Sequence, residues 1–172
     1  MRLSEGIEWG LHCCVVLAVL PPGETLPAAR LAEYHDVPPA YLAKHLQTLA
    51  RAGVVESVPG ARGGYRLTRA ATEITVLEVV EAIEGPAEPF VCTEIRQRGP
   101  VASSPGSSVY RAPCGIARTM RRAEAAYRDE LARHTLADLV VDASRAVGHE
   151  TAARFASWYG DIRRPAERAR TR

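Results

Sequence analysis

Residues 38–67, PPAYLAKHLQTLARAGVVESVPGARGGYRL, decide the fold of this chain. They read as a helix that stops at a glycine, followed by two short strands around a glycine-rich turn. Pro38 and Pro39 suit a helix start, where the missing N–H would lack an intrahelical partner in any case. Tyr41, Leu42, His45, Leu46, Leu49 and Ala50 recur at helical spacing, and Gly53 stands where a left-handed cap closes a helix. Val54–Val58 and Tyr65–Leu67 are β-branched or aromatic runs. Between them, Pro59-Gly60-Ala61-Arg62-Gly63-Gly64 is a hairpin signal with one cation at its tip. Upstream, Ala28–Tyr34 has the spacing of a short amphipathic helix, and His35-Asp36-Val37 reads as a tight turn. Helix, turn, helix and β-wing are together a device for seating a helix in the DNA major groove. The same pattern also suits a small α+β core with no nucleic-acid partner.

Ser4 is a candidate N-cap for a first helix reaching about Leu20, with Ile7, Leu11, Val15 and Ala18 along one stripe. Pro21-Pro22-Gly23 ends it. After the wing, Val76–Ile83 gives a short amphipathic helix closed by Gly85-Pro86. Residues 93–113 form a polar stretch, TEIRQRGPVASSPGSSVYRAP, whose length predicts a functional or disordered loop. A long helix follows from about Cys114 to Arg133, with Ile116, Met120, Ala123, Ala126, Tyr127 and Leu131 as its apolar face. Thr135 to Asp138 restarts a shorter helix through about Val147. An apolar face on a long helix outside the DNA-binding unit suits burial against a second subunit, or packing within one chain. A further helix is predicted over Ala152–Tyr159, and an Arg-rich tail with the composition of a disordered segment ends the chain. The fold class is therefore mainly α with a small β-wing: a winged helix–turn–helix plus a long dimerisation helix.

The chain has 172 residues, 47% hydrophobic and 24% charged, which suits a globular protein. Its longest apolar run, Cys13–Leu20, is far too short for a membrane span, and no basic leader with a cleavage pattern precedes it. These features predict a cytoplasmic protein. The net charge of +2 lends little weight to a nucleic-acid partner. Its distribution says more, because residues 151–172 hold six Arg against Asp161 and Glu167. Lysine occurs once, at Lys44 in the middle of the expected recognition helix. Lys44 reads equally as a DNA contact and as a solvated helix residue. No nucleophile motif, phosphate-cradling loop or metalloprotease spacing points to an enzyme.

Four cysteines, Cys13, Cys14, Cys92 and Cys114, fall into two kinds. Cys13 and Cys14 are neighbours in a helix and read as small buried hydrophobes. Cys92 and Cys114 bracket the polar loop, and Cys114 opens a helix. Thiols in such settings tend to be acidic, and thiolate is the form that binds metal. Glu8 and His12 are four apart on the first helix, so they share a face either as a ligand pair or as a solvated pair.

The sequence resembles the Rrf-two family of bacterial winged-helix repressors, which includes the iron–sulfur regulators IscR and NsrR. The resemblance runs from Met1 to about Asp138. It rests on Arg2-Leu3-Ser4, Pro39-Ala40-Tyr41-Leu42, Leu49 to Ser57, Gly63-Gly64-Tyr65-Arg66-Leu67, and Ile74 to Val80 with Glu84-Gly85 leading to Cys92. It implies a homodimer with a cluster at the subunit interface. Three loop cysteines are usual in the cluster-binding relatives; here Cys92 and Cys114 match the outer two, and the middle one is missing. The resemblance is nearest to the redox-sensing RsrR type. It implies a [2Fe–2S] cluster held by Cys92 and Cys114 of one subunit and Glu8 and His12 of the other. Imidazole in place of thiolate raises a cluster's potential. Trp9 is the expected redox-linked conformational switch. Ala40, Tyr41 and Lys44 in the recognition helix and Arg62 in the wing are the expected DNA contacts, on a double-stranded operator read as two half-sites. Zinc on the same four side chains, or a Cys92–Cys114 thiol switch, stays open as an alternative. The resulting division is a DNA-binding unit at 1–84, a cluster-binding loop at 85–113, dimerisation helices at 114–148 and a C-terminal helix with its tail at 149–172.

Overall fold

The computed structural model describes residues 4–60, 63–85, 90–102, 104, 106–146 and 148–163. Seven α-helices and one two-stranded antiparallel sheet make up the regular structure among them: α1 Glu5–Ala18, α2 Ala28–His35, α3 Pro39–Arg51, β1 Val55–Val58, β2 Gly64–Leu67, α4 Val76–Glu84, α5 Gly115–Arg133, α6 Leu136–Ala146 and α7 His149–Arg163. The mainly helical class with a small β-wing is what the sequence pattern predicts.

The helix–turn–helix forms where the sequence places it. Asp36 ends α2 in the left-handed region (φ +50°), and its N–H and that of Val37 close back onto Glu33 and Ala32 carbonyls. Asp is among the few non-glycine residues that tolerate this conformation. Pro38 then accepts from the N–H groups of Tyr41 and Leu42 at 3.1 Å, launching α3 with Pro39 at its first turn. Leu42, Leu46 and Leu49 are fully buried along one face of α3. Gly53 follows with φ +74°, as a left-handed cap requires. The wing pairs Val55 with Leu67 and Glu56 with Arg66, and the latter pair is also an ion pair at 2.7 Å. An unforeseen bridge widens the wing, where Leu26 and Tyr65 exchange backbone hydrogen bonds at 3.0 and 2.9 Å.

The first helix departs from the single-stripe expectation. Ile7 is buried, but Leu11, Val15 and Ala18 are only half-buried, whereas Cys13, Cys14, Val16 and Leu17 lie in the core. The reason is that α1 packs against α3, α4, α6 and the wing at once, so no narrow stripe can serve it. Ser4 makes no side-chain cap. Its hydroxyl donates to Glu84 at 2.5 Å instead, pinning the start of α1 to the end of α4. Cys13 and Cys14 are both fully buried, as expected, and burial pushes the Cys13 thiol up to about 12 and the Cys14 thiol higher still.

Further along, Thr75 and Glu78 form a reciprocal capping box on α4. Thr135 and Asp138 repeat the device at the start of α6. Fully buried Leu136 and backbone bonds between Ile74–Val76 and His134–Leu136 seat α6 on its own chain, against α1. The α5 helix behaves differently. Only Ala117 is buried on it, while Ile116 is 70% and Met120 42% exposed, so much of its apolar face is uncovered within one chain. The C-terminal helix is longer than the predicted Ala152–Tyr159. Phe155, Trp158, Tyr159 and Ile162 of α7 pack on the core, Tyr159 donates to Glu24 at 3.1 Å, and Arg163 pairs with Glu24. Aromatic contacts with Tyr34 supply the packing that helical propensity alone lacks there. The Arg-rich tail, residues 164–172, lies outside the described residues.

Replacing Leu46 with Ala is expected to cost about 2–5 kcal/mol, the range for emptying a fully buried leucine site. Urea unfolding of the two proteins under identical buffer measures it.

Candidate nucleic-acid interface and metal ligands

Ala40, Tyr41 and Lys44 share the exposed side of α3, opposite the buried leucines. Tyr41 is 46% exposed despite its size. Arg62, the cation expected in the wing, lies outside the described residues. The wing strands and the start of α3 thus present an uncovered helix face next to a short hairpin, a shape that a major groove about 12 Å wide can admit.

Behind this face sits an aromatic cluster. Trp9 of α1 meets Tyr41 edge-on with ring centroids 5.0 Å apart, and His45 lies 4.9 Å from Tyr41 and 6.1 Å from Trp9. The helices approach closely here because residue 6 is glycine: a Cβ on Gly6 would fall 2.3 Å from His45 Cε1. By spacing alone His45 is one more residue of the apolar face. Its Nε2 is buried without a hydrogen-bond partner, and burial first, with the Lys44 charge second, holds the imidazole below the ordinary histidine range. No sequence signal separates such a histidine from a solvated one.

Glu8 and His12 flank Trp9 on α1, and both are exposed. The His12 ring stands 5.6 Å from that of His35, whose imidazole is lowered mainly by burial and secondarily by His12. Cys92 and Cys114 are both half-buried free thiols. Cys114 caps α5, its Sγ accepting from the Ala117 N–H at 3.3 Å. Among the described residues of one chain, no three His, Cys, Asp or Glu side chains converge as a metal group. The structure therefore keeps Glu8 and His12 a turn apart on α1, and Cys92 and Cys114 at the two ends of one loop, but does not join the two pairs. Chemically, two thiols with one imidazole and one carboxylate suit either a [2Fe–2S] cluster or zinc.

The loop is not structureless. Short 3-10 turns form at Ile95–Gln97 and Ser108–Tyr110, and both are tied to Arg96. Nothing in the sequence distinguishes Arg96 from Arg98 or Arg111, so its role emerges only from the fold.

A DNA-reading helix–turn–helix with a wing, followed by a cysteine-bearing loop and a long helix, defines a class of transcription regulators. Residues 3–142 match the family described as Rrf2, "Iron-dependent Transcriptional regulator", and this chain belongs to that family. YwgB of Bacillus subtilis (strain 168), provisionally named an HTH-type transcriptional regulator, is 35% identical over 85 residues, covering 49% of this chain and 54% of its own. The chain thus spans about half the length of that relative. Protein aau3 of Rhizobium meliloti (strain 1021) is 33% identical over 141 residues, covering 81% of this chain and 85% of its own. Two solved structures share the fold. CymR (YrzC), the global cysteine regulator of B. subtilis, superposes with a TM-score of 0.65 at 23% identity, covering 82% of this chain and 97% of CymR. IscR of T. potens gives 0.64 at 22% identity, covering 86% and 92%. The matched family, CymR and IscR are transcriptional regulators and not enzymes. No helix among the described residues is long and apolar enough to cross a membrane.

The state of His45 makes a signed prediction. Its proton affinity is lower folded than unfolded, so the unfolded chain binds the extra proton first. The stability this provides is complete above the ordinary histidine pKa of about 6.5 and is lost as pH falls from there toward the folded value. Between pH 7.5 and 5.5 the urea midpoint of the wild type should therefore fall further than that of His45→Gln, measured side by side.

Proposed function

We propose that the chain is a homodimeric DNA-binding transcriptional repressor whose operator affinity responds to redox state through a [2Fe–2S] cluster. Cys92 and Cys114 of one subunit and Glu8 and His12 of the other would hold it. One observation supports the reading: all four side chains lie outside the apolar core, Glu8 and His12 a turn apart on α1 and Cys92 and Cys114 at the two ends of one loop, and the two pairs do not converge within one chain. A second copy meeting the first through the uncovered Ile116–Met120 face of α5 would supply what one chain lacks.

When bound, such a cluster supplies a one-electron redox centre with a potential raised by its imidazole ligand. The chain's own residues provide the rest. Glu8 and His12 stand either side of Trp9, and Trp9 touches Tyr41 in the first turn of α3. A small movement of the first turns of α1 is transmitted to the start of the recognition helix, because close-packed rings have no slack to absorb it. Lys44 neutralises phosphate or reads guanine, the N–H groups at the start of α3 bind phosphate, and Arg62 enters the adjacent minor groove.

Visible absorption and iron content of anaerobically purified protein, before and after one-electron reduction, test the cluster. A coloured protein that bleaches reversibly is expected, and Glu8→Ala or His12→Ala should lose that behaviour. A colourless protein that contains zinc, or neither metal, removes the reading in favour of the zinc site or the Cys92–Cys114 thiol switch. On the DNA side, Lys44→Ala should lower the slope of log affinity against log salt by about one if the ammonium neutralises a single phosphate. Arg62→Ala should cost about 1–3 kcal/mol of operator binding. Trp9→Ala should leave DNA binding but abolish its dependence on redox state; persistence of that dependence would refute the proposed route.

A further inference from the structure

We propose that Arg96 is a positioning residue that clamps together the two ends of the segment between Cys92 and Cys114, so that the two thiols act as one bidentate unit. The role of that unit as a metal-binding pair rests on the function proposed above.

The segment needs such a clamp. None of its described residues is buried, so no apolar core holds it, and it must be organised by polar contacts. Arg96 supplies them from a single side chain. Its Nε and Nη2 donate to the two carboxylate oxygens of Glu94 at 2.5 and 2.8 Å. Nη2 also donates to the Ala112 carbonyl at 3.1 Å, and Nη1 donates to the Val109 carbonyl at 3.3 Å. The Tyr110 hydroxyl returns a bond to the Arg96 carbonyl at 3.0 Å, and the guanidinium stands 5.5 Å from the Tyr110 ring centroid.

The topology of these bonds gives them their meaning. Glu94 lies two residues after Cys92, and Ala112 two residues before Cys114. One planar group therefore bridges the two ends of the loop, and its charge lies within electrostatic reach of both thiols. Glu94 occupies the left-handed region (φ +48°), a conformation unfavourable for a residue with a Cβ. The fork-to-carboxylate pair with Arg96 keeps it there. A rigid guanidinium with five donors can make this set of bonds; a lysine ammonium, one point charge on a flexible stem, cannot span them.

The clamp makes the effective concentration of one thiol near the other independent of the intervening loop. Released, the thiols are joined only by a flexible polar segment, and their encounter becomes limited by loop closure.

The test uses full-length, metal-free, reduced protein of wild type, Arg96→Ala and Arg96→Lys. Diamide oxidises the two thiols, with two electrons and two protons passing to the diazene, and mass spectrometry of peptides follows Cys92–Cys114 disulfide formation. Helical circular dichroism checks that each variant is folded. The wild type should close this disulfide about tenfold faster than either variant. Equal rates in all three overturn the clamp, as does a wild type that forms no intramolecular disulfide. Rescue by Arg96→Lys also overturns it, since charge alone would then suffice. The same preparations after iron–sulfur reconstitution separate the two proposals. Slower closure in the variants with a wild type that takes up no cluster leaves the clamp standing and removes the cluster reading.

Discussion

The structure depends on α1 being packed on several sides while one narrow strip of it stays in solvent. Cys13, Cys14, Val16 and Leu17 fill the core, and α3, α4, α6 and the wing all lean on the same helix. Gly6 allows the approach to His45, and the Ser4–Glu84 bond ties the helix start to α4. Protein interiors are close-packed, so a helix held this way moves with its neighbours or not at all. Glu8 and His12 sit on the exposed strip, and Trp9 between them reaches the recognition helix. Core packing and the contact between α1 and the recognition helix thus meet in one element.

The cysteines show a parallel division. Cys13 and Cys14 are placed where the thiolate is strongly disfavoured by burial, which makes them inert packing groups. Cys92 and Cys114 are half-buried, outside the apolar core, in a segment held by hydrogen bonds. Hydrophobic burial fixes the DNA-reading unit. Directional polar contacts, centred on Arg96, arrange the segment that carries the accessible thiols. Interactions of the second kind are individually modest and exposed to solvent screening. Such a segment can be reorganised without unfolding the core.

The C-terminal helix adds a feature beyond residues 3–142, the part matched by the family. Tyr34 of α2 packs against Phe155 and Trp158, and Glu24 receives Tyr159 and Arg163. This extension therefore braces the first helix of the helix–turn–helix from outside. Its aromatic residues, in a chain with only 6% aromatics, are concentrated where they cover that helix.

What the sequence determined by itself was local. The leucines of α3 at helical spacing, the proline start, the glycine stop and the two β-branched runs forced helix, turn, helix and wing, because each signal acts within a few residues. The bracketing of the polar segment by Cys92 and Cys114 was equally plain. Tertiary structure decided the rest. Only packing could turn the apolar stripe of α1 into a many-sided core helix, or extend α7 through contact with Tyr34. Only folding could choose Arg96 from several similar loop arginines, or set the His45 ring beside Trp9 with its Nε2 enclosed. These outcomes depend on which distant surfaces meet, and spacing along the chain carries no record of that.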